Sequence, residues 1–363
     1  MLILVVMFFG FPQFWLATPP EAQAAAEDAW YVAASGTYKY RKKLTLEADL
    51  VSGSTDLTNF PVLVAFTDTD LKTTGNGGDV TDANGYDIVF TTAVATPALL
   101  DHEIEKFTAS TGEIAMWVEI PTLGGATDTD IYMYYGNSSV SSSQENITGV
   151  WDSSYVGVWH MKETSGAHQD STSNNNDSTT IAVTTQGSAT GQVDGADDFE
   201  LSSGNEVDIG DSNSLDITSA WTLSAWINQE SQSTYDTLLV KSTGADVYNY
   251  FVAINNDEID AGFTVNTAYR ECQSTAANLA VGTWYHVTAT FDNSGNAMAI
   301  YKNGASQSVA SLSGSGCTTT SDPATNTGVL VMGEDAADTQ SFDGLIDEVR
   351  ISSSVRSADW IKT

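Results

Sequence analysis

The sequence predicts an all-β protein of two β-sandwiches in tandem, placed behind an N-terminal signal segment. Two observations carry this. Short segments alternating apolar and polar residues recur along the chain between Gly/Asn/Asp/Ser clusters, and no stretch holds a convincing helical period. The 363 residues are also enough for two cores, and a polar run over 137–149 separates two halves.

From Met1 to Thr18 the chain is almost wholly apolar. Pro12, Pro19 and Pro20 make a continuous spanning helix a poor reading, because proline removes a donor and clashes with the preceding turn. Ala22-Gln-Ala24 and Ala24-Ala-Ala26 both fit a signal-peptidase site, so residues 1–26 read as a signal peptide and 27–37 as a short linker. The basic residues that usually open such a segment are missing, since the first is Lys39. The expected product is secreted or held at the cell surface, with no membrane insertion once the signal is removed.

The first sandwich is expected over 38–152, with strands at 38–46, 59–66, 86–90, 100–107, 114–120 and 129–135. Pro61 stands near the start of its strand, where a missing donor is tolerated. Gly-rich clusters at 75–78 and 123–127 supply turns.

The second sandwich is expected over 155–363. Its clearest strands are 222–228, 284–292 and 342–351. In the second of these, Tyr285, Val287, Ala289 and Phe291 fall on one face and His286, Thr288 and Thr290 on the other, which places His286 towards solvent. Asn303-Gly304 is a two-residue hairpin turn, in which both residues tolerate positive φ. Alternation in 342–351 puts Asp347 on the face of Val349 and Ile351, the core face. A carboxylate there needs a partner, because an unpaired buried charge costs several kcal/mol or more. One partner set is a cation held with Asp170, Asn174 and Asn176, whose loop offers hard oxygen ligands suited to calcium. The other is a set of backbone hydrogen bonds. In an exported chain the two cysteines, Cys272 and Cys317, read as a disulfide, with two free thiols as the alternative.

Charge excludes some partners. With 47 acidic against 13 basic residues, the formal net charge is −34. Such a field repels nucleic acid and anionic membranes and attracts divalent cations.

Particular motifs then carry a resemblance. Tyr40-Arg-Lys, Asn59-Phe-Pro-Val-Leu-Val, His102-Glu-Ile-Glu, Trp117-Val-Glu-Ile-Pro, Ile131-Tyr-Met-Tyr-Tyr-Gly-Asn and Val150-Trp-Asp resemble a domain of unknown function. That domain occurs in large secreted bacterial and archaeal proteins, commonly just ahead of a laminin-G-like domain. From about 155 onward, Tyr155-Val-Gly-Val-Trp-His-Met, the loop from Asp170 to Thr179, and the three strands above resemble laminin-G-like, concanavalin A-like jelly rolls. The resemblance implies a calcium ion joining the 170–176 loop to the sheet, and an extracellular ligand, often a glycan. Asp177 and Ser178 stand where relatives tend to have His and Gly.

Three functions remain to be separated. The first is non-catalytic binding of glycans or glycosylated surfaces, with Tyr248, Tyr250, Tyr269 and Arg270 as ring-stacking and polar contacts. The second is a structural subunit whose sandwiches self-associate. The third is a glycoside hydrolase using Asp101, Glu103 and Glu105, which at i, i+2, i+4 would line one strand face. An exposed acidic face is the plainer reading of that triplet, and no catalytic residue is assigned. Lys106 stands where a zinc-protease motif needs its second His, and neither a Gly-x-Ser-x-Gly elbow nor a Walker loop occurs.

Overall fold

The computed structural model describes residues 31–33, 36–92, 97–201, 204–232, 234–244, 247–319, 321–335 and 340–363. The expected signal peptide lies outside the described residues. Among them, no helix is long and apolar enough to cross a membrane. The chain divides into two compact units between Asp152 and Ser153.

The first unit opens with a small hairpin, β1 (Val32–Ala33) and β2 (Gly36–Thr37). Its main strands are β3 (Tyr40–Leu46), β4 (Leu57–Thr67), β5 (Val89–Thr91), β6 (Leu99–Leu100), β7 (His102–Thr108), β8 (Glu113–Leu123) and β9 (Thr129–Tyr135). They form two antiparallel sheets, β3-β9-β5-β6 and β4-β8-β7. Leu44, Phe90 and Met133 from one sheet, and Val62, Met116 and Val118 from the other, are buried. The strand expected over 100–107 is two strands in different sheets, broken at Asp101. Its alternation was legible, but a switch between sheets leaves no mark on it.

The second unit begins with β10 (Tyr155–Trp159), β11 (Thr180–Ala182), β12 (Thr185–Thr190), β13 (Gly195–Phe199) and β14 (Glu206–Gly210). Next come β15 (Ala220–Gln229), β16 (Asp236–Ser242), β17 (Tyr248–Asn255), β18 (Glu258–Val265) and β19 (Ala268–Ser274). The last strands are β20 (Trp284–Asp292), β21 (Ala297–Lys302), β22 (Ala305–Ser306), β23 (Val309–Ser313), β24 (Val329–Met332) and β25 (Gly344–Ser352). One sheet has the order β12-β13-β25-β15-β20-β21-β22, with β10 also on β25. The other runs β11-β14-β24-β16-β17-β18-β19-β23.

Their facing sides make one core, in which Leu223, Ile227, Val287, Phe291 and Ile351 meet Val252, Ile259, Phe263, Leu330 and Met332. Val287, Ala289 and Phe291 point inward as alternation requires, and Tyr285 packs on the edge of that core. Asn303 and Gly304 take φ of 49° and 71° between β21 and β22, the hairpin turn the sequence predicts.

In the last strand the simple alternation fails. Ser224 pairs with Arg350 and Trp226 with Asp347, so Ala225 alone opposes both Glu348 and Val349. This is a β-bulge with Glu348 at φ 53°, and it shifts the phase of the strand by one residue. Ile346, Val349 and Ile351 join the core, while Asp347 lies on the opposite face with Trp226. The expectation that Asp347 shares a face with Val349 and Ile351 is corrected by that bulge.

Candidate functional site

Two carboxylates of the acidic triplet in the first unit are held inside the fold. Glu103 and Glu105 are buried, 3% and 6% exposed, not spread over a solvent face. The Trp117 indole N–H donates to Glu105 (2.5 Å) and the Trp151 indole N–H to Glu103 (3.1 Å), with the two Trp rings 5.5 Å apart. A register shift between Ile104 and Lys106 breaks the alternation on which an exposed face depended. His102 lies edge-on to Phe90, and burial lowers its pKa. Three of the motifs that resemble the domain of unknown function therefore converge on one buried cluster of indoles and carboxylates.

Each of the expected calcium ligands is engaged by groups of the protein itself. Asp170 Oδ1 accepts the backbone N–H groups of Val158 (3.0 Å) and Thr172 (2.9 Å). Its Oδ2 accepts the Thr172 hydroxyl (2.8 Å) and the Asn176 N–H (2.9 Å). Asn176 donates its amide to the Val156 carbonyl (2.7 Å), and the exposed Asn174 turns its own towards the Tyr155 carbonyl (3.3 Å). Asp347 accepts the backbone N–H groups of Gln192 (2.6 Å) and Val193 (3.3 Å), while burial and the charge of Glu348 raise its pKa. Asp170 and Asp347 share no hydrogen-bond partner among the described residues.

Calcium needs six to eight oxygen ligands around one point, and it would have to compete here with the hydrogen bonds these four side chains already make. Backbone hydrogen bonds, the other reading of Asp347, account for one of its oxygens. Calcium at about 1 mM, set against chelator, is accordingly expected to leave the melting temperature of the intact chain unchanged. A rise of several degrees that Asp347→Ala abolishes would restore a calcium site.

Two buried histidines are held by carboxylates. His168 lies 2.8 Å from Glu163 through Nδ1 and 2.7 Å from Asp197 through Nε2, and it is fully buried. Burial alone would lower its pKa, but the two carboxylates outweigh it and raise the value to about 9. His160 Nδ1 lies 2.5 Å from Glu348, whose other oxygen accepts from Arg350. Although burial opposes ionisation, His160 and Arg350 bring the Glu348 pKa down to about 2. His286 lies on the face away from the core, as expected, but is half-buried there: it packs against Trp226 at 5.4 Å, and burial together with Arg350 lowers its pKa to about 3. His168 reads as a fixed charge and His286 as a packing group.

A recess of about 190 Å³ opens on the outer face of the β16–β19 sheet. Tyr248 packs on Phe251 and on Tyr269, with ring centroids 5.6 Å apart in both pairs. Tyr235 completes the aromatic wall, and Glu271, Asp335 and Gln340 add polar groups. Of the four residues expected to contact a ligand, Tyr248 and Tyr269 line this recess.

Tyr250 and Arg270 do not. Tyr250 is fully buried in the core between the sheets. A register shift where β16 pairs with β17, between Lys241 and Ser242, explains how Tyr248 and Tyr250 part although they are two residues apart. Arg270 turns back to the Tyr269 carbonyl (2.9 Å). Phe251, Tyr235, Glu271, Asp335 and Gln340 were not anticipated. The signal for Phe251 was present, because β17 carries apolar residues on both faces and thus a second cluster, with Val240, Ala253 and Val331.

Residues 84–179 match the family described as Domain of unknown function (DUF2341), and residues 201–362 match Laminin_G_3, of the Concanavalin A-like lectin/glucanases superfamily. The chain thus carries the first domain followed by the second, in the expected order. The first match runs past Asp152 into the opening strand and loop of the second unit. None of the curated proteins matches the chain.

Among solved structures it is similar to domain 4 of AbnA, an extracellular arabinanase from Geobacillus stearothermophilus, in complex with arabinotriose. That match has 18% identity and a TM-score of 0.43, covering 57% of this chain and 96% of that one. It is also similar to the binding domain of botulinum neurotoxin serotype D (17%, TM-score 0.41, 58% and 50% covered). A third is the heptameric SAP-like pentraxin of Limulus polyphemus (14%, TM-score 0.33, 41% and 72% covered). The chain spans about half the length of the neurotoxin domain.

Proposed function

We propose that this is a secreted, non-catalytic glycan-binding protein whose ligand seats in the recess of Tyr235, Tyr248, Phe251 and Tyr269. The observation that carries the reading is the recess itself. Aromatic faces offer the apolar surface on which the C–H side of a sugar ring stacks, and Glu271, Asp335 and Gln340 offer hydrogen-bond partners for hydroxyls. Its place on a concanavalin A-like domain agrees with such a use. The engagement of Glu103 and Glu105 by indole N–H groups favours binding over hydrolysis, since a glycosidase needs two carboxyls facing its substrate.

A shallow site of this size holds one or two sugar units, so single-site affinity should be modest, roughly micromolar to millimolar, with strength recovered through multivalency. On a glycan array the intact chain is expected to retain a defined set of glycans. Tyr269→Ala should weaken that retention about tenfold or more without lowering the melting temperature. Retention unchanged in Tyr269→Ala and Tyr248→Ala would place the ligand elsewhere. Steady release of reducing sugar that Glu103→Gln or Glu105→Gln abolishes would replace binding with hydrolysis.

A further inference from the structure

The charge of the recess narrows what it selects. Among the described residues no Lys, Arg or His lines it, whereas Glu271 and Asp335 do. Arg270, the nearest cation in sequence, is turned back on its own backbone. A third carboxyl stands behind the wall. Asp260 on β18 is fully buried and neither of its oxygens makes a hydrogen bond of good geometry, with the Tyr235 hydroxyl and the Asn255 side chain as its polar neighbours.

Burial raises the pKa of Glu271, and burial together with the charge of Glu271 raises that of Asp260 to about 8. Carboxyls in this state are short of positive charge, and a cation beside them offsets their desolvation. The faces of the surrounding rings attract a cation as well. A sugar acid would meet the opposite field.

We infer that the recess selects glycans with a free amine: a hexosamine unit stacks on Tyr248 and Tyr269 while its ammonium pairs with Glu271 and Asp335. The inference rests on the glycan reading above and adds the class of sugar. An N-acetylated unit keeps the ring and loses the ion pair, so the two forms of one backbone separate the terms.

The probes are a glucosamine tetramer and an N-acetylglucosamine tetramer, titrated calorimetrically into the intact chain at about pH 6. The free-amine tetramer is expected to bind about tenfold tighter or more, and the advantage should shrink in about 1 M salt. Glu271→Gln should remove the advantage and leave residual binding of both tetramers; Asp335→Asn serves the same purpose should Glu271→Gln fail to fold. An advantage that survives both variants would mean diffuse attraction of a polycation to a chain of net charge −34, and would overturn the inference. Equal binding of the two tetramers, or neither bound while neutral glycans are retained, would also overturn it and leave the glycan reading standing. Absence of binding to every glycan would remove that reading with it.

Discussion

A chain carrying His168→Gln is expected to unfold with about 3–5 kcal/mol less free energy than the native sequence near neutral pH. Both ring nitrogens of His168 face carboxylates, which only the doubly protonated imidazolium satisfies, since a neutral ring has a single N–H. Glutamine can donate to one of them at best. If that one is Glu163, Asp197, fully buried, keeps only its hydrogen bond from the Gly187 backbone (2.8 Å). An unpaired buried carboxylate either carries its desolvation cost or takes up a proton, and both weaken the fold.

The pH dependence has a definite sign. The folded-state pKa of about 9 lies above the ordinary 6.5. The ring's contribution is therefore fully present below pH 6.5 and fades as pH rises through about 9. A shift of roughly 2.5 units corresponds to about 3 kcal/mol. Urea unfolding of both proteins between about pH 6 and pH 10 should show their difference narrowing. A gap constant across that range would mean that His168 is neutral in the fold.

Period-two alternation made the architecture legible. It located the strands around Leu223 and Val287, each with one apolar and one largely polar side, while those around Val62 and Val118 stood out as apolar runs buried on both faces, and Asn303-Gly304 announced its own turn. The same rule misled wherever the backbone left strict alternation. The bulge at Glu348 moved Asp347 to the outer face, the register shift beside Glu105 accompanied burial of what looked like an acidic edge, and the shift between β16 and β17 parted Tyr248 from Tyr250.

A bulge is one residue's φ and ψ, set by tertiary packing, and no residue type demands it. Glu348 holds φ 53° without being glycine, fixed by His160 and Arg350, which come from a distant strand end and from its own strand. The recess was half legible for a related reason. Tyr248 and Tyr269 were visible as aromatics in polar company, but Tyr235, Asp335 and Gln340 reach it from loops whose return to the sheet leaves no periodic trace.

Removing the disulfide should cost nearly as much as removing His168. Cys272 on β19 is bonded to Cys317, 45 residues on, in the short 3-10 turn Gly316–Thr318. The sequence's reading of a bonded pair holds. Closing a loop of that length restricts the unfolded chain by about 4 kcal/mol in the chain-entropy model. Local packing is arranged for the bond: Gly316 lies so close to the Glu271 carbonyl that a side chain there would collide with backbone, and Cys272 is fully buried in the core. Thiol labelling of unfolded, unreduced protein should find no free cysteine, and the double variant Cys272→Ala/Cys317→Ala should lose about 4 kcal/mol of unfolding free energy.

The loss should reach the recess as well. Glu271 is adjacent to Cys272 on β19, and the segment that ends at Cys317 supplies β23, which pairs along that strand. Glycan retention should thus fall in the double variant even under conditions where it stays folded. A variant within about 1 kcal/mol of the native chain would show that the pairing of β19 with β23 holds this edge without the covalent link, leaving the chain-entropy term offset by other effects.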